Sequence, residues 1–360
     1  MKIFYFIALS LCFARASFAD ISKIIVCDLG GTNLRFAEAS LDGEQIKIAN
    51  KISYKVQGVS NQGGFVEMLQ KYLDDLGEPN EVRAIAKGLG ISFAGAVSFE
   101  EEASATNLRL NLSRKQLEQE LGLPVRIIND GAAAAEGIPF AGKGGVSQIK
   151  GGPSREGRHA LIVPGTGLGV AFLETDPAGK CLSVATEQGH YGLPEKKENL
   201  EWKSFLLDQY SDGFDMEDAV SGRAFPNYFG FLERQGVLDG LKIDSYKKVL
   251  SEDKDRFGEY VYDMAKQGDA TALAIIHFFW HNLAQACGHI GGTMTSFGGV
   301  YLSGNIVNKL YEWFDEDAFL SAYNLGVPNK LRNVAKSIPV YKIEDGDLTL
   351  KGVAAYMKRN

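Results

Sequence analysis

The sequence predicts a two-domain α/β protein, and three observations support this prediction. The chain has 360 residues, which is enough to bury two cores. Strand-like apolar runs alternate with amphipathic helical segments along it. A strand, a glycine turn and a second strand occur near residue 30 and again near residue 165, which indicates a duplicated architecture. We expect a small α/β domain at 21–140, completed by a C-terminal helix at about 346–360, and a large α/β domain at 141–345.

The composition is that of a globular protein, with 45% hydrophobic and 23% charged residues. The net charge is -7, and the chain has no basic run and no stripe of alternating aromatic and basic residues. These features predict that nucleic acid is not a partner.

The first 20 residues resemble a secretory signal. Lys2 is followed by the apolar stretch Ile3 to Ala14 and by Ala16 to Ala19, a small-residue pattern that predicts cleavage after Ala19. The apolar stretch is too short to cross a bilayer as a helix, so we expect no membrane partner. The alternative is a wrongly assigned start on a cytoplasmic protein. Of the four cysteines, Cys12 lies in this leader, and the remaining Cys27, Cys181 and Cys287 form no disulfide framework, which favours a reducing compartment. We therefore expect a cytoplasmic location, or export if residues 1–19 are a genuine signal.

The first glycine turn lies in the stretch Val26 to Ala37. Apolar residues lead to Asp28, then to Gly30-Gly31 and Thr32-Asn33, and a strand pattern resumes at Leu34. Glycines allow backbone N–H groups to approach an anion, and the Thr and Asn side chains add donors, so the turn is a candidate phosphate site. The G-x-x-x-x-G-K-[ST] pattern is absent. The alternative is an ordinary Gly-Gly hairpin.

The rest of the small domain is predicted from periodicity and caps. In order, we expect a strand at Gln45 to Tyr54, a helix at Phe65 to Leu76, a buried strand at Ala84 to Phe93, a short polar segment at Ser104 to Asn107, and a helix at Ser113 to Leu121. Ser113 is predicted to cap the last of these helices.

A strand at Val125 to Ile128 is predicted to deliver Asn129 and Asp130 to the start of an alanine-rich helix. Ligands bind at the carboxyl ends of strands in open α/β sheets. Asp130 is therefore a candidate general base toward a hydroxyl, with Asn129 bonding the same substrate. The alternative is that Asp130 only caps the helix.

The second domain is expected to begin after an exposed loop at Gly142 to Gly157. The strand Ala160 to Val163 is then followed by the turn Pro164 to Gly169 and the returning strand Val170 to Leu173. This turn contains Gly165, Thr166 and Gly167. Two such turns predict two phosphate-binding hairpins.

Two acidic segments follow the second turn. Glu187-Gln188-Gly189-His190 offers the acceptors and donors that a buried polyhydroxy ligand needs, and Glu217 precedes Ser221-Gly222. The alternatives are a polar surface turn for the first segment and a plain helix start for Glu217. A metal site is less well supported, because two ligands do not complete one.

Three later patterns complete the prediction. We interpret His277 and His281 as core or interface residues, because Phe278 stands where a zinc-protease helix carries glutamate. The stretch Ser296 to Ile306 predicts a strand between two glycine turns, where adenine could lie against the backbone. Lys351 to Lys358 predicts the closing helix.

Taken in order, these motifs resemble those of bacterial glucokinase, a member of the sugar kinase, actin and Hsp70 fold group. The resemblance covers about Ile21 to Asn360. It implies a two-domain, ribonuclease H-like fold with a cleft between the domains. It also implies ATP-dependent phosphorylation of glucose to glucose 6-phosphate, which feeds glycolysis, and commonly a homodimer.

The resemblance also implies roles for individual residues. Asp130 would be the general base and Asp28 an indirect ligand of Mg²⁺ through its waters, with ATP and Mg²⁺ as the cofactors. The implied sugar ligands are Asn107, Asn129, Asp130, Glu187, His190 and Glu217. The implied nucleotide-binding residues are Asp28, Gly30, Gly31, Thr32, Asn33, Gly165, Thr166, Gly167 and Gly299.

Three other functions stay open. One is a kinase for another hexose, such as mannose or fructose. Another is a noncatalytic sugar-binding regulator, which has no need of Asp130 or of the phosphate turns. The last is an actin-like assembly ATPase, which has no need of the implied sugar ligands.

Overall fold

The structure is a computed structural model that describes residues 23–42, 45–57, 59–77, 86–99, 101–105, 110–142, 144–152, 155–176, 181–194, 196–238 and 243–359. Its strands are β1 Ile24–Leu29, β2 Asn33–Asp42, β3 Gln45–Lys55, β4 Leu89–Phe93, β5 Ala96–Val97, β6 Glu102–Ala105, β7 Leu110–Ser113, β8 Val125–Asn129, β9 Val146–Lys150, β10 His159–Pro164, β11 Leu168–Thr175, β12 Cys181–Thr186, β13 Gly299–Leu302 and β14 Val340–Ile343.

Its α-helices are α1 Gln62–Asp75, α2 Arg114–Leu121, α3 Asp130–Gly137, α4 Leu200–Gln209, α5 Glu217–Val220, α6 Phe225–Arg234, α7 Ile243–Glu252, α8 Phe257–Lys266, α9 Ala270–Thr293, α10 Asn305–Leu310, α11 Glu316–Gly326, α12 Arg332–Lys336 and α13 Leu348–Arg359. No helix in these described ranges combines the length and apolar character that crossing a membrane requires. The predicted leader at 1–20 lies outside the described residues.

The chain divides into two compact units. The first comprises the described residues up to Gly145, together with 171–185 and the residues from Asp345 onward. The second comprises 146–170 and 186–344. Residues 171–185 therefore cluster with the first unit, although they lie within the predicted large domain at 141–345.

The first unit contains a five-stranded sheet in the order β3-β2-β1-β4-β8. The first three strands form an antiparallel meander, and β1, β4 and β8 are parallel. The strand at Gln45 is therefore confirmed. Of the buried strand predicted at Ala84 to Phe93, the described residues form a strand at Leu89–Phe93, and Ala84 and Ile85 lie outside the described residues. In the parallel register Leu29 lies beside Phe93, and Phe93 beside Asn129. The residues that follow β1 and β8 thus leave the same edge of the sheet.

Two helices of the first unit pack closely enough to require glycine. A Cβ added at Gly352 of α13 would lie 1.7 Å from the carbonyl oxygen of Ala133 in α3. A Cβ added at Gly137 of α3 would lie 2.1 Å from the carbonyl oxygen of Leu348. Helix α13 therefore fixes the position of α3, which begins at Asp130.

In the second unit, strands β10, β13, β14 and β9 lie side by side in that order. The prediction of an exposed loop at Gly142 to Gly157 was wrong, because β9 pairs antiparallel with β14 inside this segment. The last residue of β9, Lys150, is buried. Its Nζ donates to the carbonyl oxygens of Lys336 and Ile338, at 3.0 and 2.6 Å. Burial lowers the pKa of Lys150 to about 8.

Candidate functional site

The first glycine turn joins β1 to β2. It is closed by a hydrogen bond from the Gly30 N–H to the carbonyl oxygen of Asn33, at 3.0 Å. Gly31, Thr32 and Asn33 are exposed. A Cβ added at Gly31 would have no atom within 4 Å. The protein therefore leaves open space above this glycine, as a cradle for an anion requires.

Asp28, at the end of β1, is paired within the sheet. Its Oδ2 accepts from Arg35 Nε at 3.1 Å, and its Oδ1 accepts from Ser92 Oγ at 3.2 Å. The Asp28 side chain is 16% exposed. Both carboxylate oxygens therefore already have protein donors as partners. Among the described residues, no group of three His, Cys, Asp or Glu side chains is placed to hold a metal.

The pair Asn129-Asp130 lies at the strand-to-helix junction, as predicted. Asn129 is the helix cap: its Oδ1 accepts from the Ala132 N–H at 3.2 Å, and its Nδ2 donates to the Gly95 carbonyl at 3.0 Å. The alternative that Asp130 caps α3 is therefore wrong. Asp130 is the first helical residue, half-buried, and its Oδ1 accepts from the Gly131 N–H at 2.8 Å.

The predicted sugar contact Asn107 lies outside the described residues.

The second glycine turn joins β10 to β11. It is closed by a bond from the Gly165 N–H to the Gly167 carbonyl at 2.8 Å. The segment 217–223 braces it from one side. The Gly222 N–H donates to the Gly165 carbonyl at 2.7 Å, and Arg223 Nε donates to the Thr166 carbonyl at 3.1 Å.

Glu217 lies directly against this turn. Its Oε2 accepts from the Leu168 N–H at 2.8 Å, and its Oε1 pairs with the Arg223 guanidinium. A Cβ added at Gly167 would lie 2.3 Å from Glu217 Oε2. Glu217 does begin α5, but its contacts exceed those of a plain helix start, because the carboxylate binds a backbone group of the predicted phosphate turn.

The segment Glu187 to His190 packs on the same turn. A Cβ added at Gly189 would lie 2.1 Å from the carbonyl oxygen of Leu168. His190 Nδ1 lies 2.7 Å from Asp215 Oδ2, and its Nε2 lies 3.8 Å from Glu187 Oε2. The second unit therefore brings together three predicted features that are distant in sequence: the glycine turn, the Glu-x-x-His segment and Glu217.

Asp215 orients the His190 ring, and it is itself held by a reciprocal pair of bonds. Its N–H donates to Asp218 Oδ2, and the Asp218 N–H donates to Asp215 Oδ1, at 3.1 and 3.2 Å. Burial raises the pKa of Asp218 above its ordinary range. These contacts fix the imidazole beside Glu187.

The structure does not bring Gly299 to this turn. In the parallel register Gly299 lies beside His159 at the start of β10, whereas the turn follows the end of β10. A Cβ at Gly299 would meet the Tyr341 ring at 2.8 Å, and its φ is +118°, so packing and backbone conformation explain this glycine. At the other end of the strand, a Cβ at Gly304 would lie 3.2 Å from the Pro164 carbonyl oxygen.

Sequence reasoning missed four residues that hold the predicted ones: Arg35 and Ser92 at Asp28, Asp215 at His190, and Arg223 at Glu217. No motif contains Asp215 or Arg223 in a recognisable role. Arg35 carried a weak signal, because it lies opposite Asp28 across the predicted hairpin.

Comparison with known proteins identifies the family of this chain. Residues 25–360 match the model of the glucokinase family. A glucokinase from Caulobacter sp. (strain K31) is 26% identical over 338 residues, which cover 92% of this chain and 94% of the relative.

Two solved structures share the fold. The glucokinase of an Antarctic psychrotroph superposes with a TM-score of 0.76 and 20% identity, covering 95% of this chain and 100% of that one. A ROK family glucokinase from Streptomyces griseus, in complex with glucose and AMPPNP, gives a TM-score of 0.61 and 19% identity, covering 92% and 98%. The predicted two-domain sugar kinase and actin-like fold is thereby confirmed.

Proposed function

The chain belongs to the glucokinase family, and from this we propose that it transfers the γ-phosphoryl group of ATP to the 6-hydroxyl of glucose. The family match and the Streptomyces griseus neighbour, which was solved with glucose and AMPPNP, support this choice of substrates. The observation that carries the proposal is the convergence of the second glycine turn, the Glu187 to His190 segment and Glu217 within one unit. An anion cradle beside carboxylates and an imidazole fits a phosphate donor and a polyhydroxy acceptor.

Asp130 is the proposed general base. Its carboxylate takes the proton of the 6-hydroxyl as that oxygen bonds to the γ-phosphorus, and the bond from phosphorus to the leaving ADP oxygen breaks. Phosphoryl transfer requires little covalent work from the protein, so positioning and charge neutralisation dominate. The tight packing of α13 on α3 keeps the start of α3, and hence Asp130, in place.

The other residues have proposed binding roles. Asn129 retains one N–H for a sugar oxygen beyond its contacts in the cap. Asn107, Glu187, His190 and Glu217 would bind further sugar hydroxyls. The open space at Gly31 and the amides of the second turn would receive phosphate oxygens. Mg²⁺ would arrive with ATP and neutralise phosphate charge, and Asp28, already paired with Arg35, would act on it only through water.

Asp130→Asn is the sharpest test of the mechanism. Positioned general bases contribute ~10²–10⁴-fold to rate, so we expect kcat to fall by this order while glucose affinity changes little. A coupled assay with Mg-ATP measures kcat, and calorimetry measures glucose binding. Asp74→Asn, which neutralises an exposed acid on α1, is the matched control. Turnover by Asp130→Asn close to that of the wild type would contradict the assignment of Asp130 as the general base.

A hexose panel separates the remaining functions. Preferential phosphorylation of glucose over mannose and fructose supports the proposal, and preference for another hexose reassigns the substrate. Sugar binding without turnover would indicate a regulator. ATP-dependent light scattering would indicate an assembly ATPase.

We further propose a cytoplasmic homodimer that supplies glycolysis. A cytoplasmic location matches the supply of ATP that the reaction needs. N-terminal sequencing of the native protein tests the alternative of export, because a chain beginning at Asp20 would show signal cleavage. Size-exclusion chromatography with light scattering tests the dimer.

A further inference from the structure

We propose that Arg223 is a positioning residue for ATP, acting through its contacts with the second glycine turn and with Glu217. This inference rests on the proposed function and extends it, because Arg223 belongs to none of the motifs that predicted the site.

Two carbonyl oxygens of the second glycine turn face the segment 222–223. The carbonyl oxygens of Gly165 and Thr166 both bond to the segment 222–223, at 2.7 and 3.1 Å. A trans peptide is planar, and its C=O and N–H point in opposite directions. The N–H groups of Thr166 and Gly167 are therefore turned away from 222–223. Two successive N–H groups that share one side of a turn form an anion-binding concavity.

The ion pair of Arg223 and Glu217 holds the backbone of the turn. Arg223 donates to the Thr166 carbonyl and also pairs with Glu217, which accepts from the Leu168 N–H. The guanidinium and the carboxylate thus fix one backbone group on each side of Gly167. Gly167 has no side chain to obstruct this, since an added Cβ would lie 2.3 Å from Glu217 Oε2. A planar guanidinium can bond a carbonyl and a carboxylate at once, which an ammonium does less well.

The exposure of Arg223 distinguishes a positioning role from a role in stability. The Arg223 side chain is 57% exposed, whereas that of Glu217 is 12% exposed. Exposed ion pairs contribute little to folding free energy. Removing Arg223 should therefore leave the fold intact but release the Thr166 carbonyl, so that the peptide carrying the Gly167 N–H can rotate. We therefore expect the variant to bind phosphate less tightly without losing its fold.

The experiment compares Arg223→Ala, Arg223→Gln and Arg223→Lys with the wild type. We expect KM for ATP to rise about tenfold in the first two variants, as for the loss of one charge-assisted hydrogen bond. KM for glucose should rise less than KM for ATP, because Glu217, a proposed sugar ligand, keeps its bond from the Leu168 N–H when Arg223 is removed. The Lys variant should recover part of the ATP affinity. Arg234→Ala is the matched control, since Arg234 is an equally exposed arginine of the same unit that pairs with Asp208.

Melting temperatures and calorimetric binding of AMPPNP are measured on the same proteins. Unchanged KM for ATP in Arg223→Ala, or equal changes in both KM values, overturns the proposal. A melting temperature lowered enough to explain the weaker ATP binding of Arg223→Ala also overturns the proposal. If the wild type phosphorylates no hexose but binds AMPPNP, and Arg223→Ala weakens that binding, the proposed function fails and the role of Arg223 stands.

Discussion

The two glycine turns look alike in sequence but are held by different parts of the protein. Each is closed by a hydrogen bond from its first glycine N–H, at 3.0 Å for Gly30 and 2.8 Å for Gly165. The first turn is supported within the three-stranded meander, where the Thr32 carbonyl oxygen accepts from the N–H of Val56, just after β3, at 3.1 Å. The second is supported by a segment about fifty residues away in sequence, through Glu217 and Arg223.

This difference changes the reason for each glycine. At Gly167 a side chain could be accommodated only if the Glu217 carboxylate moved, because its Oε2 would lie 2.3 Å from an added Cβ. At Gly31 no protein atom lies within 4 Å of an added Cβ, so nothing in the described structure requires glycine there. The first turn is therefore the better candidate for direct contact of a ligand with a glycine, because packing does not explain Gly31. The second turn, held by Glu217 and Arg223, is the better candidate for precise orientation of its backbone N–H groups.

Gly167→Ala should have the largest effect on stability. The added methyl displaces the Glu217 carboxylate, which breaks its bond to the Leu168 N–H and disturbs its pair with Arg223. Leaving such groups unsatisfied costs ~1–3 kcal/mol. Urea unfolding should show a loss of this size, together with a raised KM for ATP. A variant as stable as the wild type would show that the contacts of Glu217 with Leu168 and Arg223 are not needed for stability.

Asp28→Asn should have an intermediate effect. The amide keeps an acceptor for Ser92 but loses the charge that pairs with Arg35, which costs about 1 kcal/mol for a partly exposed pair. Because Asp28 is also the proposed outer ligand of Mg²⁺, KM for Mg-ATP should rise more than Kd for glucose. Arg35→Gln is the control: it breaks the same pair but keeps the carboxylate. A glucose defect larger than the Mg-ATP defect in Asp28→Asn would remove the proposed role.

Much of the fold was predictable because its signals are local. The meander, the Asn129-Asp130 junction and the Ser113 cap follow from apolar periodicity and from cap residues, and the structure confirms the cap, with Ser113 Oγ accepting from the Gln116 N–H. Strand β9 was missed because Val146 to Lys150 is short, mostly polar and ends in a lysine. The burial of Lys150 depends on hydrogen bonds to the carbonyl oxygens of Lys336 and Ile338, almost two hundred positions later in the sequence.

The candidate site was predicted as motifs but not as contacts. Sequence placed Glu217 among possible ligands, yet only the fold shows its bond to Leu168 and its pair with Arg223. Gly299 shows the reverse: a glycine in a suitable motif lies at the wrong end of its strand, because the parallel register sets it beside His159. Spacing along the chain does not determine which end of a strand meets a turn of another strand.

Gly31→Ala should have the smallest effect on stability and is the most informative about ligand contact. The added methyl meets no protein atom within 4 Å, and the backbone of Gly31 is outside the left-handed region. The free energy of unfolding should therefore change by no more than about 0.5 kcal/mol. If phosphate oxygens approach the backbone here, the methyl occupies their space and KM for Mg-ATP rises several-fold. Gly142→Ala, also in open space within the first unit, controls for the added methyl. Equal ATP kinetics in Gly31→Ala and Gly142→Ala would assign the phosphate contact to the second turn alone, and the first turn would then be an ordinary hairpin.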